Sequence, residues 1–361
     1  MKRAYLDYNA SAPLRPEAKH AMVQAMDCVG NPSSVHSEGR ASKAIVERAR
    51  EQIAQALGAQ GADIIFTSGA TEAAGLALHG RALRCADVEH EAVRAWCETG
   101  LSVDKYGQIS VPKPERSAVQ LANSETGVLQ SLPEGVAVCD MTQAFGKLPV
   151  AFNWTGAQMG LISAHKIGGP KGVGALVIKR GTELAAQIKG GGQEMGRRSG
   201  TENLVGIAGF GAAAEAAIRD VEQGLWDHVE KLRNILENSI EQISASTIFI
   251  GKSRPRLPNT SCMVTEGWKG ETQVMQMDLA GLAVSAGSAC SSGKVKESRV
   301  LRAMGFGANR TGSALRVSLG PDTRQTDIDW LVENWSKQYG KWKARGLSAK
   351  NEQETLNGSF G

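Results

Sequence analysis

One segment stands out in this chain: Leu161-Ile162-Ser163-Ala164-His165-Lys166-Ile167-Gly168-Gly169-Pro170-Lys171-Gly172-Val173-Gly174. Its lysine, Lys166, lies between a short apolar run and a turn with four glycines. Desolvation lowers the pKa of a lysine amine and makes it a better nucleophile, so a tight apolar turn suits a lysine that binds a cofactor covalently. A solvated loop lysine is the alternative, and it is the commoner situation for lysine. The neighbouring segments must therefore support the interpretation of Lys166 as a cofactor lysine.

Composition places the chain among globular proteins. It has 361 residues, of which 42% are hydrophobic and 22% charged, enough for two domains with sizeable cores. Its 42 glycines predict many tight turns and close approaches of the backbone to a ligand. The net charge of +4 is too small to indicate nucleic-acid binding. No apolar run reaches the roughly 18 residues that a membrane span needs.

The beginning of the sequence and its cysteines indicate a reducing compartment. Residues 1–7 lead directly into charged sequence, without the apolar region of a signal peptide. The cysteines form neither a Cys-x-x-Cys pair nor a zinc-binding spacing, so no metal site is expected. We predict reduced thiols and a cytoplasmic protein. The six cysteines are Cys28, Cys85, Cys97, Cys139, Cys262 and Cys290.

Apolar runs of strand length alternate with helical or loop segments in the first two thirds of the chain. This alternation predicts an α/β fold with a mostly parallel sheet that helices cover on both faces. In such sheets ligands bind beyond the carboxyl ends of the strands. The runs are Ile64–Thr67, Val119–Ala122, Val136–Cys139, Gly160–Ser163 and Gly174–Ile178.

Polar residues follow three of these predicted strands, and we expect them to line one crevice. Ser68-Gly69-Ala70-Thr71 joins a strand to a helix and would offer backbone N–H groups and a hydroxyl to a phosphate, although an ordinary N-capping turn has the same pattern. Asp140 follows another strand, where an aspartate is also common as a helix cap. Ser163 to Lys166 follows the third.

The sequence pattern after about residue 200 predicts a second structural unit. A helical pattern runs from Asn203 to Ile243, and we place the domain change within it, near Gly224. Three later apolar runs, Thr247–Ile250, Thr260–Val264 and Ala314–Ser318, predict the strands of a smaller α+β domain. The predicted organisation is a large domain at 16–224, a small domain formed by 1–15 and 225–345, and a flexible polar tail at 346–361.

A lysine, an aspartate and a phosphate-binding turn on one crevice are the parts that hold pyridoxal phosphate. A buried carboxylate such as Asp140 keeps the ring nitrogen protonated, which lets the cofactor accept electrons. Gln143, three residues later, could reach the ring hydroxyl from the same turn. Together these parts favour the cofactor interpretation over three unrelated structural ones.

The sequence resembles the NifS-like cysteine desulfurases, in the class V aminotransferase branch of fold-type I pyridoxal-phosphate enzymes. The resemblance covers Tyr5 to about Gly320. It implies a large domain with a mostly parallel sheet of the seven-stranded type and a smaller α+β domain. The matching motifs are Asn31–His36, Phe66–Glu72, Glu89-His90, Asp140–Gln143, Ser163–Gly172, Gly190–Glu194, Arg198–Asn203, Gly287–Cys290 and Arg316–Gly320.

The resemblance implies a role for each residue of the site. Lys166 would bind the cofactor covalently, His90 would stack on its ring, and Asp140 and Gln143 would contact the ring nitrogen and oxygen. Arg316 would bind the substrate carboxylate as a bidentate partner. The remaining implied contacts are Ala70, Thr71, Ser163 and His165 with the phosphate, Thr201 with the phosphate from the partner subunit of a homodimer, and Asn31, Asn123 and Ser124 with the substrate.

Cys290 would be the nucleophile. It lies among small residues, Ser285 to Lys294, in a segment suited to a mobile loop, whereas we interpret the other cysteines as small buried apolar side chains. The implied reaction removes sulfur from L-cysteine, leaves L-alanine and a Cys290 persulfide, and passes the sulfur to an iron–sulfur scaffold, a tRNA-thiolation partner or another thiol acceptor protein.

The sequence departs from the family pattern at Ser124, where asparagine is usual, so that substrate affinity is expected to differ. Two alternatives to an active desulfurase stay open. One is another class V enzyme, a selenocysteine lyase or an aminotransferase. The other is a weakly active or non-catalytic assembly partner, against which Lys166 and Asp140 argue.

Overall fold

The computed structural model describes residues 3–287 and 297–358, with side chains as far as residue 345. Cys290, the predicted nucleophile, lies outside the described residues. The helices are α1 (Pro16–Met26), α2 (Ser37–Ala56), α3 (Ala70–Leu78), α4 (Glu91–Arg94), α5 (Leu204–Glu222), α6 (Leu225–Ile243), α7 (Gly270–Leu279), α8 (Arg299–Ala303), α9 (Ala308–Thr311) and α10 (Gln325–Gly358).

The strands form one central sheet, one smaller antiparallel sheet and two strand pairs. They are β1 (Ala4–Tyr5), β2 (Asp63–Thr67), β3 (Arg84–Ala86), β4 (Glu98–Leu101), β5 (Ala118–Gln120), β6 (Val138–Asp140), β7 (Met159–Ser163), β8 (Gly174–Ile178), β9 (Thr247–Ile250), β10 (Thr260–Thr265), β11 (Leu282–Ala283), β12 (Ser285–Ala286) and β13 (Ala314–Ser318).

The central sheet has the order β2-β8-β7-β6-β5 and confirms the α/β prediction. Strands β5, β6 and β7 are parallel, and β8 is antiparallel to both of its neighbours. The short connection from β7 to β8 has no room for a crossover helix, which forces this reversal. The central sheet has five strands, whereas the resemblance implies a sheet of the seven-stranded type. The parallel pair β3–β4 brings the number to seven, and one bridge between Arg84 and Ser117 links that pair to β5.

Helices cover both faces of this sheet because successive side chains of its strands point to opposite faces. Ile162 of β7 packs into a core with residues of α2 and α5, such as Ile53 and Phe210. Its neighbour Leu161 packs instead with Ala73 and other residues of α3. Burial of each large aliphatic side chain contributes about 1.5–3 kcal/mol, so the apolar run before Lys166 anchors that residue firmly.

The second sheet, β12-β13-β10-β9, is antiparallel, and its core includes residues from α6, α7 and α10. All three predicted strands of the smaller α+β unit are present as β9, β10 and β13. The prediction of one helix from Asn203 to Ile243 was wrong. Helix α5 ends at Glu222, and Gly224, whose φ of 70° favours glycine, separates it from α6. The domain ranges stay a prediction.

Two terminal segments complete the fold. Strand β1 pairs in parallel with β11, and a bridge between Asp7 and Ser318 links the N-terminal segment to β13 of the smaller sheet. Helix α10 extends through residues 346–358 of the predicted tail, whose flexibility stays a prediction. Among the residues that the structure describes, no helix is both long and apolar enough to cross a membrane.

Candidate active site

A cavity of about 540 Å³ opens at the carboxyl ends of β2, β6 and β7. It lies where the sequence predicts a crevice, so the prediction that the three polar segments converge is confirmed. Residues of the N-terminal segment and of β13 close its other side. Ten of the predicted site residues line it: Ala70, Thr71, His90, Ser124, Asp140, Gln143, Ser163, His165, Lys166 and Arg316.

Glycines allow the backbone to pack closely beside Lys166. The lysine ends a short 3₁₀ turn, Ala164–Lys166, directly after β7. Gly168 follows with a φ of 81°, and a Cβ atom there would lie 2.5 Å from the side chain of Arg15. A Cβ atom on Gly174 would lie 2.7 Å from the backbone of Gly69. The glycine-rich segment therefore brings Lys166 and the start of α3 to one edge of the sheet.

Lys166 reaches across the cavity to the N-terminal segment. Its Nζ donates hydrogen bonds to the carbonyl oxygens of Asn9, at 2.6 Å, and Ala10, at 2.9 Å. These two neutral acceptors hold the amine at the cavity wall.

The first turn of α3 forms the part predicted to bind phosphate. The first N–H groups of a helix have no intrahelical acceptor, and Ala70 and Thr71 line the cavity at this point. Gly69, the residue before the helix, provides no side-chain cap. The backbone N–H of Ser68 is already used, because it donates to Glu72 at 2.7 Å. Arg198 in turn donates to both carboxylate oxygens of Glu72.

Asp140 and Glu89 form an acidic wall of the site. Asp140 ends β6, and its Oδ1 accepts a hydrogen bond from the N–H of Thr142 at 2.9 Å. Glu89 is completely buried and accepts from the N–H of Gln120 at 2.8 Å. Burial, and then the negative charge of Asp140, raise the pKa of Glu89 well above its usual range. Burial therefore favours the protonated form of Glu89, and Asp140 is the carboxyl group that lines the cavity.

Both histidines of the cavity have defined surroundings. Nδ1 of His90 accepts the N–H of Ala92 at 3.1 Å, so the neutral ring carries its hydrogen on Nε2. His165 lies 3.2 Å, Nδ1 to Oγ, from Ser11. Burial, and then the charges of Lys166, Lys171 and Lys147, lower the pKa of His165 to about 4. His165 is thus uncharged at neutral pH and acts there as a hydrogen-bonding group.

Arg316 comes from β13 and is fixed by two contacts. Its Nη2 donates to Oδ1 of Asp7 at 2.8 Å, and its Nη1 donates to the carbonyl oxygen of Ser124 at 3.1 Å. Asp7 also accepts the hydroxyl hydrogen of Ser285 at 2.7 Å. The guanidinium Nε is buried without a hydrogen-bond partner among the described residues.

Three predicted residues do not line the cavity in this chain. Asn31 lies in an exposed turn, where its side chain accepts the N–H of Ser33. Asn123 is buried behind the cavity, and its amide fixes the turn that follows β5. Thr201 is exposed, and its predicted contact with a partner subunit stays a prediction, as do the chemical roles of all site residues.

Sequence reasoning missed three residues that hold the site together. Asn9 and Asp7 position Lys166 and Arg316, yet they lie in a short segment without periodicity. Lys147 is buried and donates to Gln143, four residues earlier. A lysine in the apolar run Ala144 to Leu148 was the available signal.

Comparison with known proteins identifies the family. The model of the aminotransferase class-V family matches residues 4–99 and 98–331. A cysteine desulfurase from Enterobacter agglomerans is 37% identical over 369 residues, which cover 92% of each chain. One from Klebsiella pneumoniae is 38% identical over 365 residues, which cover 92% of this chain and 91% of the relative.

Solved structures agree with these relatives. A NifS-like protein from Rickettsia africae has a TM-score of 0.86 and 29% identity, over 94% of this chain and 100% of the other. Another NifS-like protein has a TM-score of 0.83 over the same shares of the two chains. The fold is therefore the predicted fold-type I of pyridoxal-phosphate transferases. This chain belongs to the aminotransferase class-V family and, within it, to the cysteine desulfurases.

Proposed function

We propose that this protein is a pyridoxal-phosphate-dependent cysteine desulfurase, which converts L-cysteine to L-alanine and retains the sulfur as a persulfide on Cys290. The observation that carries the proposal is the convergence of Lys166, Asp140 and the first turn of α3 on one cavity. Family membership supports the substrate, since relatives that match 92% of the chain are cysteine desulfurases.

The residues present fit the cofactor. A pyridine ring with a phosphate needs an anion site, a carboxylate for its nitrogen and a lysine for covalent attachment. The cavity offers the N–H groups of α3, Asp140 and Lys166. It also contains buried polar atoms without a partner among the described residues: Nε2 of Gln120, Oγ1 of Thr142 and Nε of Arg316. Such atoms are costly unless a ligand or water satisfies them.

When bound, the cofactor would supply an electron sink for the electrons of a broken substrate bond. Lys166 would attach it and, as a free amine, would accept the α-proton of the substrate. The carbonyl groups of Asn9 and Ala10 orient that amine. Asp140 would keep the ring nitrogen protonated, and uncharged His165 would donate to the phosphate together with Ser163, Ala70 and Thr71.

Substrate orientation would depend on Arg316. Its guanidinium group would bind the carboxylate of L-cysteine, and Asp7 and the Ser124 carbonyl hold it at the cavity wall. Ser124 would also contact the substrate, with a shorter reach than the usual asparagine. The substrate contacts of Asn31 and Asn123 stay predictions, because neither residue lines the cavity in this chain.

Cys290 would carry out the sulfur chemistry. Its thiolate attacks the substrate sulfur, so that the S–S bond forms while the Cβ–S bond breaks. The carbon skeleton takes up the proton and leaves as alanine. The reaction balances as thiol plus cysteine to persulfide plus alanine, with no external oxidant. A second thiol, on an iron–sulfur scaffold or a tRNA-thiolation protein, would then take the sulfur.

A homodimer is part of the proposal. Several apolar side chains of α1 and the loop after it are exposed in the single chain, including Met26, Val29 and Val35. Such a patch is typical of a protein interface. Thr201 would reach the cofactor phosphate of the partner subunit. Light scattering of the purified protein tests the dimer, and a monomer at micromolar concentration would contradict it.

One experiment separates the proposal from its alternatives. The purified protein is expected to show a visible cofactor absorbance and, with L-cysteine and a thiol reductant, to release sulfide and alanine in equal amounts. Cys290→Ser should lose sulfide release and keep the absorbance, whereas the control Cys28→Ser should keep both. Absent absorbance would indicate a non-catalytic partner.

The other class V enzymes give different products. Selenide from selenocysteine without sulfide from cysteine would indicate a lyase, and amino-group transfer to a 2-oxo acid would indicate an aminotransferase. Sulfide release by Cys290→Ser would remove Cys290 as the nucleophile.

A further inference from the structure

Lys147 is a buried lysine that the proposed reaction does not use. It lies in the turn after β6, four residues after Gln143, and only 2% of it is exposed. Its Nζ donates to Oε1 of Gln143 at 2.8 Å and to Oδ1 of Asn9 at 3.2 Å. A lysine is rarely buried this deeply, so its position needs a structural or functional reason.

The contacts of Lys147 determine which way the amide of Gln143 points. Nε2 of Gln143 donates to the carbonyl oxygen of Asn9 at 3.0 Å, while Oε1 accepts from Lys147. A rotation of the amide by 180° would place its oxygen against a carbonyl oxygen and its N–H group against the donors of Lys147. The contact with the Asn9 carbonyl oxygen would become repulsive and Lys147 would lose its oxygen acceptor, so the lysine and the carbonyl together favour one orientation.

Asn9 is fixed in the same way. Its Nδ2 donates to the carbonyl oxygen of Ser124 at 3.2 Å and to Oγ1 of Thr260 at 2.8 Å. Its Oδ1 accepts from both Lys147 and Asn259. Asn9 is therefore a rigid support behind Gln143. The backbone oxygen of Asn9 that accepts from Gln143 also accepts from Lys166.

We propose that Lys147 is a positioning residue that makes Gln143 present an amide N–H, rather than a carbonyl oxygen, to the cofactor. The inference rests on the proposed function, because its target is the oxygen on the pyridine ring. Gln143 lines the cavity, and only one of its two amide hydrogens is used by Asn9. The second hydrogen can serve a negatively charged ring oxygen, which a carbonyl group would repel.

The role of Lys147 does not require a positive charge. Burial, and then the charges of Lys166 and Arg316, lower the pKa of Lys147 well below its usual range. A neutral amine still has two hydrogens to donate, which match the two oxygen acceptors. A positioning role needs only these donors, whereas a role that relies on charge needs the ammonium group. A neutral donor at position 147 is therefore expected to restore the orientation of Gln143.

The test measures cofactor binding to the apoprotein. Pyridoxal phosphate is titrated into the parent, Lys147→Met, Lys147→Gln and Gln143→Met, with Lys179→Met as an exposed-lysine control. Lys147→Met lacks the donors and should bind the cofactor about ten-fold more weakly, with the absorbance maximum shifted as in Gln143→Met. Lys147→Gln provides a neutral donor and should stay within about three-fold of the parent.

The double variant Lys147→Met/Gln143→Met identifies the mechanism. If Lys147 acts through Gln143, the double variant binds no more weakly than Gln143→Met alone. Additive losses would overturn the proposal, as would a ten-fold loss in Lys147→Gln, which decides the question if Lys147→Met does not fold. A parent protein that binds no cofactor would overturn the proposed function and this inference together.

Discussion

Two parts of the site bury ionisable groups by different means. One is the acidic wall, formed by Asp140 and Glu89, and the other is the basic side, formed by Lys166, Lys147 and Arg316. On the acidic wall, Glu89 lies behind Asp140, and burial together with the neighbouring carboxylate favours the protonated form of Glu89. On the basic side, Lys166 and Lys147 donate to neutral carbonyl and amide oxygens, and Arg316 has the carboxylate of Asp7. On one side burial favours the uncharged form of Glu89, and on the other fixed oxygen acceptors hold the two amines and the guanidinium group.

This difference matters for a cofactor with a nitrogen at one end and negative oxygens elsewhere. A single carboxyl group of the cavity lining, Asp140, would face the ring nitrogen, and the donors Lys166 and Arg316 would serve the negative oxygens. Asp7, Asn9 and Ala10 provide acceptors to all three groups of the basic side, so the N-terminal segment is part of the site.

The largest effect is expected for Lys166→Ala. The variant has no amine to bind the cofactor covalently or to move the substrate proton, so sulfide release should fall by at least about 10³-fold. Alanine and sulfide are measured at saturating L-cysteine, with Lys179→Ala as the matched control. Activity within ten-fold of the parent would show that the basic side does not supply the catalytic amine.

A pair of substitutions separates the two carboxyl groups. Asp140→Asn removes the charge that would keep the ring nitrogen protonated, and we expect kcat to fall by about 100-fold. Burial favours the protonated form of Glu89, which Glu89→Gln copies, so kcat should stay within about three-fold. Equal losses in the two variants would contradict the assignment of the charge to Asp140.

Arg316→Lys tests the basic side through the substrate. A lysine keeps the charge but loses the planar bidentate donor, so KM for L-cysteine should rise by about ten-fold, with a smaller fall in kcat. Asp7→Asn should change KM in the same direction and by less. A pure kcat effect would place Arg316 in the chemistry instead.

The smallest effects are expected in the stability of the apoprotein as a function of pH. The pKa of Glu89 is raised, so the folded state retains a proton that the unfolded state loses, and stability falls as pH rises above about 4.3. The pKa of His165 is lowered from 6.5 to about 4, so stability falls as pH decreases through that interval. The two sides therefore act in opposite directions.

Urea unfolding between pH 4 and 8 checks both trends. Glu89→Gln should flatten the alkaline decline, which has a limiting slope of about 1.4 kcal/mol per pH unit for one proton. Because the two contributions oppose each other between about pH 4.3 and 6.5, His165→Gln should expose the fall due to Glu89 in that interval and leave the slope above pH 6.5 unchanged. Parallel pH profiles for the parent and both variants would show that neither group is shifted.

The sequence predicted the local parts of the site well. The apolar runs and the polar residues after them indicated which residues lie at strand ends, and ten of the predicted side chains line the cavity. The sequence did not predict features that depend on contacts between distant segments of the chain. The helical pattern continues across Gly224, whereas in the structure α5 packs in one core and α6 in another, with Gly224 at a φ of 70° between them.

By itself, the sequence determined that Lys166, Asp140 and Ser68 to Thr71 follow strands of one α/β sheet, because hydrophobic periodicity and glycine positions are local properties. Tertiary structure alone decided what holds these groups in place. Asn9 lies 138 residues from Lys147 and 157 from Lys166 along the chain, yet it contacts both. Hydrogen bonds over such separations depend on how the sheet and the N-terminal segment pack, and no local pattern encodes that packing.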